Sequence, residues 1–355
     1  MSWPADRGKI LEAQEFLREC GGQRVTVACD SDVDGLASAV IIERLLHSID
    51  AEASVLPVRR GEHVHSDSMQ ARIRDESPAR LVVLDMGSRP QSILPGLPTL
   101  IIDHHDATNG VPPGAVVLNG FDSPPVAPTS VLASVVAAGL AETEHSKWLG
   151  ALGAVADLGS AGAFIDLLQL RISVTAARKA SALLNAARRA PRPDPLVALD
   201  TLRRAESVND IAAGRLPGSE RLEEMLQAVR AEMARCSRVP PRTSGNVALI
   251  KFTSGAQVHP IVATRWSGRL RPRIVIAANE GYLPGRTNFA VRCADQVDLL
   301  AWLRSLPFAP SDSAEYANGH ARATGGSLSA RDFERFARSL GFEAPAREMT
   351  TASQK

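Results

Sequence analysis

Three short apolar runs, each followed at once by an acid or a histidine, constrain this chain more than any other feature. Val25-Thr-Val-Ala-Cys29 runs into Asp30, Leu81-Val-Val-Leu84 into Asp85, and Leu100-Ile-Ile102 into Asp103-His104-His105. Apolar runs without polar alternation need cover on both faces, the condition of a strand inside a parallel sheet. The segment after the first run, Leu36 to His47, has helical periodicity. Strands alternating with helices make a doubly wound, parallel α/β sheet. In such sheets ligands gather beyond the carboxyl ends of the strands. Three strands that deliver Asp or His at that end mark one sheet edge as the place for chemistry.

The rest of the chain predicts a second body. At 355 residues it exceeds one typical core, so two domains are expected. Residues 7–20 form an amphipathic helix with Ile10, Leu11, Phe16 and Leu17 on its apolar face and Gly21-Gly22 as its stop. Ser130–Leu140 and Trp148–Val155 follow as helices, the second closing on Asp157. From Asp166 to about Ser237 the pattern is helical, broken by the proline-rich 191–195 and by Pro217-Gly218. Beyond Pro240-Pro241 it changes again: Val247–Ile250 and Arg273–Ala277 are strands, and Asp295–Leu306 and Ala330–Leu340 are helical. The expected organisation is an N-terminal doubly wound domain over 1–165, a helical connector over 166–240, a smaller α/β domain over 241–345, and a disordered tail over 346–355.

Composition narrows the class. With 45% hydrophobic and 22% charged residues the chain is an ordinary soluble globular protein. Cys20, Cys29, Cys236 and Cys293 have no metal-ligand or redox spacing, which argues against a disulfide scaffold and fits a reducing cytoplasm. No apolar run approaches a membrane span, and Asp6, Glu12 and Glu15 interrupt the N-terminus, so neither a membrane partner nor a signal peptide is expected. The net charge of +1 conceals an asymmetry: residues 1–165 hold 12 basic against 21 acidic side chains, the remainder 28 against 18. The first part needs cations and the second meets an anion. Of the 40 basic residues 35 are Arg, the better fork for phosphate; genome composition explains that bias equally well. Ten of the 15 aromatic residues follow residue 241, as a base-stacking surface would require.

Asp30-Ser-Asp32-Val-Asp34-Gly35 sets three carboxylates at alternate positions just after a buried strand. Carboxylates this close repel unless a cation holds them. By itself the motif is equally an N-cap cluster or a calcium-type loop. It is not alone, because Asp85, Asp103, His104, His105 and Asp157 arrive at neighbouring element ends. Carboxylates mixed with imidazole suit Mn²⁺, with Mg²⁺ the less suited ion because of the histidine. Two such ions about 3.5–4 Å apart clamp a phosphoryl oxygen and activate water, the usual route to phosphodiester hydrolysis.

The runs VACDSDVDGLASA, VVLDMGS, IIDHHD and LGALGAVADLG, in that order, resemble the four motifs of the DHH phosphoesterases, with the first and fourth closest to the RecJ branch. Asn288-Phe-Ala-Val-Arg292 and Asn318-Gly-His-Ala-Arg-Ala-Thr-Gly325 resemble the arginine strand and glycine-histidine motif of the associated DHHA1 domain. The resemblance spans residues 25–340, with the helical arm matching only in character. It implies that Asp32 and Asp34 ligate different metals, that Asp85 bridges them, and that His104 and Asp157 complete the pair. It implies a phosphate-contacting or acid-assisting role for His105, and for Asp103 the orientation of the imidazoles. Arg292, Gly319 and His320 would hold substrate phosphate. Two positions depart from the family: Ala28 stands where many relatives have His, with Asp30 as the RecJ-like substitute, and Asn318 stands where Gly is usual.

The implied activity is a RecJ-like exonuclease acting on single-stranded DNA or RNA. Because the chain stops soon after the DHHA1-like region, the alternative is a phosphodiesterase for short oligonucleotides, pAp or linear and cyclic dinucleotides. A non-catalytic nucleic-acid-binding scaffold is a third reading, against which the intact acids speak; pyrophosphatase relatives carry a different C-terminal domain. Among the remaining residues, His63 and His65 are expected to be solvated and His259 to start a helix before Pro260. Arg286, in a turn, is a candidate phosphate contact, and Gly325-Gly326 a candidate phosphate nest.

Overall fold

The computed structural model describes residues 4–107, 110–141, 144–311 and 315–342, with positions 144, 165, 318 and 320 described by backbone alone. The tail expected over 346–355 lies outside the described residues. The chain divides into two compact units, one ending at Val229 and the other beginning at Arg230.

In the first unit α1 (Arg7–Arg18) precedes β1 (Arg24–Cys29), α2 (Val33–Ser48), β2 (Glu52–Pro57), α3 (Asp67–Asp75), β3 (Arg80–Leu84), β4 (Thr99–Asp103) and β5 (Val116–Asn119). The five strands form one all-parallel sheet in the order β2-β1-β3-β4-β5. The winding therefore reverses between β1 and β3, and a switch point of this kind opens a crevice at the carboxyl edge. The three expected strands are present; β2 and β5 are additional. Register brings the critical acids level, since Cys29 pairs with Leu84 and Leu84 with Ile102. The Asp30 amide donates to the Leu84 carbonyl and the Asp85 amide to that of Ile102, each at 3.1 Å.

Helix α2 is buried along nearly its whole length and packs against α4 (Thr129–Ala138) and α5 (Lys147–Leu158). The glycines of the LGALGAVADLG run make that packing close. An added Cβ at Gly150 would strike Ser134 Oγ, and one at Gly153 would strike both Ser130 Oγ and Asp34. Asp157 falls inside the last turn of α5 rather than beyond it. Next come α6 (Ile165–Leu168), α7 (Val174–Arg189), α8 (Pro195–Arg204) and α9 (Val208–Ala213). Helix α7 packs on α5 and α8 on α2, and Arg203 of α8 forms an ion pair with Glu43 of α2 at 2.6 Å. The unit boundary lies within α10 (Ser219–Cys236).

The second unit carries β6 (Arg242–Ser244), β7 (Val247–Phe252), α11 (His259–Ser267), β8 (Ile274–Asn279), β9 (Arg286–Arg292), α12 (Leu299–Arg304), β10 (Tyr316–His320), β11 (Ala323–Ser329) and α13 (Ala330–Ser339). Its sheet has the order β10-β11-β9-β8-β7-β6; only β7 and β8 run parallel. His259 does begin a helix, and the helix expected over Asp295–Leu306 is confined to α12. Most of the late aromatics build a core rather than a stacking surface: Phe289, Phe333, Phe336 and Phe342 are buried together, with Tyr316 and Phe308 against them. Gly325-Gly326 is no loop nest. Both glycines lie in β11, and a Cβ on Gly325 would collide with the Phe289 carbonyl of the neighbouring strand.

Gly153 yields a test of the close α5 packing. Alanine favours a helix over glycine by about 1 kcal/mol, whereas forcing a methyl into a filled interface costs about 1–3 kcal/mol. Gly153→Ala is expected to lower the urea midpoint; a raised midpoint would contradict the packing.

Candidate metal centre

The carboxyl edge of the first sheet gathers five of the expected side chains. Asp30, Asp32 and Asp85 offer ligand atoms that all lie within 4.8 Å of one another, and so do Asp85, His104 and His105. Asp85 belongs to both groups. It is buried and has φ +62°, a left-handed conformation uncommon for a residue with a side chain. Its Oδ1 accepts from Thr129 Oγ1 at 3.0 Å and faces His104 Nε2 at 3.2 Å.

The neighbouring charges are arranged to tolerate one another. Asp32 is the N-cap of α2, with Oδ1 accepting from the Gly35 amide at 3.0 Å and Oδ2 paired with Arg188 at 3.2 Å. Burial pushes its carboxyl up, but Arg188 and the Gly35 amide outweigh burial and hold it below the usual range. Asp30 also faces Arg188, at 3.5 Å, yet burial and the charge of Asp32 raise it to about 6. Asp103, fully buried at the end of β4, accepts from His105 Nδ1 at 2.8 Å. Burial disfavours the charged imidazoles, but Asp103 lifts His105 to about 10 and Asp85 lifts His104 to about 9.

Asp34 and Asp157 enter neither group. Asp34 is buried, and its carboxylate receives the Thr129 amide at 2.7 Å, the Ser130 amide at 3.1 Å and the Ser130 hydroxyl. It thus caps the start of α4, where the helix dipole favours negative charge. Burial first, then the charge of Asp85, pushes the Asp34 carboxyl well up. Asp157 is exposed on α5 and interacts electrostatically with His104, Asp32 and Asp85.

The donor set fits a hard or borderline divalent ion, being carboxylate and imidazole without thiolate. Cys29, one residue before Asp30, belongs to neither ligand group, and burial pushes its thiol far up.

Several participating residues escaped the sequence reading. Thr129 and Ser130 carried only the signal of a helix start after Pro128, and Arg188 none beyond the pair Arg188-Arg189. Asn119 donates to the His105 carbonyl at 2.9 Å from the end of β5. The expectation that His63 and His65 are solvated is corrected. His63 is half-buried, and its Nε2–H donates to the Met86 carbonyl at 2.7 Å, one residue beyond Asp85. Its Nδ1 accepts from the His65 amide at 3.3 Å, and the two rings stack at 5.4 Å. Burial, then the charge of Arg89, lowers His63 to about 4, so at neutral pH it is an uncharged donor.

The remaining predicted residues belong to the second unit. Arg292 Nη1 donates to the Val291 carbonyl at 2.9 Å and the Thr324 carbonyl at 3.3 Å. Arg286 is engaged with Ser327, through Nε to Oγ at 2.8 Å and Nη2 to the carbonyl at 2.7 Å, and ties β9 to β11. Gly319 has φ +113° and its missing Cβ would meet the Ala323 carbonyl, so glycine is required there. The side chain of His320 is outside what the structure describes.

The hold of His63 on the Asp85 turn is testable. Groups that orient metal ligands typically account for about 10–100-fold in metal affinity. His63→Ala is expected to weaken Mn²⁺ binding by that factor in calorimetry, while His63→Gln, whose amide donates to the same carbonyl, recovers most of it. Equal binding by the alanine variant and wild type would remove His63 from the centre.

No sequence-family description matches the chain, and no curated protein matches it in sequence. Solved structures do match. Exonuclease RecJ bound to manganese superposes with a TM-score of 0.68 at 19% identity, covering 98% of both chains. RecJ from Thermus thermophilus in complex with Mn²⁺ gives 0.69 at 18% identity over 97% of this chain, which spans only 56% of that one. The DHH domain of a member of a ribosomal-protein family gives 0.67 at 14% identity, covering 97% and 94%. With 98% of both chains covered, the chain has the fold of the manganese-bound RecJ exonuclease structure.

Proposed function

We propose that this chain is a metal-dependent phosphodiesterase that degrades single-stranded nucleic acid from an end with two divalent ions, Mn²⁺ or alternatively Mg²⁺. The observation that carries the reading is the membership of Asp85 in both ligand groups, the arrangement a bridging carboxylate requires. Asp30 and Asp32 would hold one ion with Asp85, and His104 the other. Asp34 and Asp157 complete the set; the three hydrogen bonds on Asp34 leave one of about four lone-pair sites. When bound, the ions polarise a phosphoryl oxygen and ionise water near neutral pH.

The chain's own residues do the positioning. Asp103 fixes the His105 ring through Nδ1 and keeps it charged, so Nε2–H is a donor for a phosphate oxygen or leaving group. Arg188 balances Asp30 and Asp32. In the second unit Arg292 has no carboxylate partner among the described residues; Asp295, its nearest candidate in sequence, pairs with Arg271 instead. Burial lowers its pKa to about 10, which still leaves a cation at neutral pH, and an uncompensated guanidinium favours phosphate. His320 would be a second contact, with Gly319 admitting a close backbone approach.

Removal of divalent ions with a chelator is expected to abolish hydrolysis and lower thermal stability, with Mn²⁺ restoring both; full activity in excess chelator would refute the metal reading. Asp85→Asn keeps the size and loses the bridging charge, so turnover should fall by several orders of magnitude with the fold retained. A rate within tenfold of wild type would make this strand end structural. Arg292→Ala should leave Mn²⁺ affinity and melting temperature nearly unchanged while kcat/KM falls about 10–1000-fold, the scale of a charged hydrogen bond and lost positioning. Product ladders from end-labelled single strands, dinucleotides and pAp would separate the exonuclease from a small-nucleotide phosphodiesterase.

A further inference from the structure

The positive charge of the second half is concentrated in the second unit, where residues 230–355 hold 18 basic against 10 acidic side chains. Part of it is paired locally. Arg235 pairs with Glu232, Arg335 with Asp332, Arg338 with Glu334 and Lys251 with Glu280. One end of the sheet differs. The nine-residue stretch Arg265-Trp-Ser-Gly-Arg-Leu-Arg-Pro-Arg273 carries four arginines and leads straight into β8. Register places that end beside Arg292, because Val275 of β8 pairs with Arg292 of β9.

Polar contacts stitch the same end together. Arg271 donates to the Ala294 carbonyl at 3.1 Å and reaches Asp295 at 3.6 Å, Arg322 donates to the Asp295 carbonyl at 3.1 Å, and Cys293 Sγ meets the Pro272 carbonyl at 3.5 Å. Among the described residues Arg265, Arg269, Arg273, Arg292 and Arg322 make no ion pair with a carboxylate. Arg269 lies over the Trp266 ring, 5.5 Å from its centroid, and that ring is only half-buried, unlike the core phenylalanines.

We infer that this end of the second sheet is a track for a single-stranded nucleic acid of several nucleotides. Its phosphates follow Arg292, Arg322, Arg271, Arg273 and Arg269, and a base stacks at Trp266. The inference rests on the phosphodiesterase reading only for Arg292, which that reading already assigns to substrate phosphate. Guanidinium forks match phosphate oxygens, and an arginine-stacked, half-exposed indole offers a platform for any base. An acidic peptide would satisfy the arginines but has no planar group for Trp266. An arginine-rich composition would scatter such residues over the unit. It would not bring Arg292, Arg322 and three arginines of one nine-residue stretch to the same end of the sheet, with only Arg271 among these described residues in an ion pair.

The test is binding by fluorescence anisotropy of a labelled phosphorothioate dodecathymidylate, with Mn²⁺ present and the thio linkages keeping the strand intact. The triple variant R269A/R271A/R273A is expected to bind about 10–100-fold more weakly. Its log K against log salt slope should be shallower by about 2, from three lost phosphate contacts at about 0.7 each. Binding of a phosphorothioate dinucleotide should be unchanged. Trp266→Leu should weaken dodecamer binding about five- to a hundredfold without altering the salt slope, since stacking carries no counter-ion. Unchanged melting temperatures exclude misfolding, and R269E/R273E supplies an independent check, with a larger loss expected. Equal dodecamer affinity and slope in the triple variant would overturn the track. So would poly-glutamate of matched charge binding wild type as tightly as the dodecamer. If wild type binds the strand through these arginines but cleaves no natural oligonucleotide, the phosphodiesterase reading fails and the track stands. If it cleaves dinucleotides and does not bind the dodecamer, the track fails and the phosphodiesterase reading stands.

Discussion

Negative charge gathered at one sheet edge is the constraint to which the rest of the first unit answers. Parallel register makes the crowding unavoidable, because Asp30, Asp85 and Asp103 follow strands that pair level with one another. Each acid has its own compensation. Asp34 receives the first amides of α4, Asp103 a charged imidazole, and Asp32 the guanidinium of a helix far away in sequence. Asp30 keeps only part of the same guanidinium, and burial with the charge of Asp32 lifts it to about 6. Elements far apart in the chain are therefore held in place by one electrostatic requirement, and a divalent cation meets that requirement better than side chains alone.

This explains what the sequence made legible and what it did not. The central strands were visible because burial on both faces leaves uninterrupted apolar runs, and their terminal acids were visible by adjacency. Strand β2, Glu52–Pro57, lies at the sheet edge with half its residues partly exposed, so its run is diluted by Glu52 and Ser54. Strand β5 is four residues long at the other edge. Neither carries a period long enough to register. Within the site, residues acting through their own motif were found, whereas Thr129, Ser130, Asn119 and Arg188 act by where the fold brings them. A threonine that donates to Asp85 has the same sequence signature as any helix start. The reading of His63 failed for a related reason: a polar loop in sequence becomes half-buried once it folds against the Met86 carbonyl.

The second unit shows how one residue type carries opposite meanings. Late aromatics were consistent with base stacking, but the sheet face beneath α12 and α13 needs large apolar side chains to fill it. Phe289, Phe333 and Phe336 meet that need, at ring separations of 5.2–6.0 Å. Trp266 stands outside this cluster. The glycines divide similarly. Gly319 is fixed by its backbone conformation, but Gly325 by the Phe289 carbonyl against which no methyl fits, a steric demand of strand packing that a glycine pair in sequence does not distinguish from an anion nest.

The backbone at Asp85 links fold and site most closely. A left-handed conformation at a residue with a side chain costs about 1–2 kcal/mol, least for Asp and Asn. Ending β3 there turns the chain sharply while the Asp85 amide still bonds to Ile102. Gly87 follows at φ +69°, where glycine adds no strain, and His63 holds the intervening Met86 carbonyl. The turn is thus over-determined on three sides, so a strained residue keeps one position. A carboxylate shared by two ligand groups needs that fixity, since a shift toward either group would be a shift away from the other. Strain localised at the shared acid, with its supports on β4, Gly87 and the His63 loop, is how the sheet sets the spacing of the whole centre.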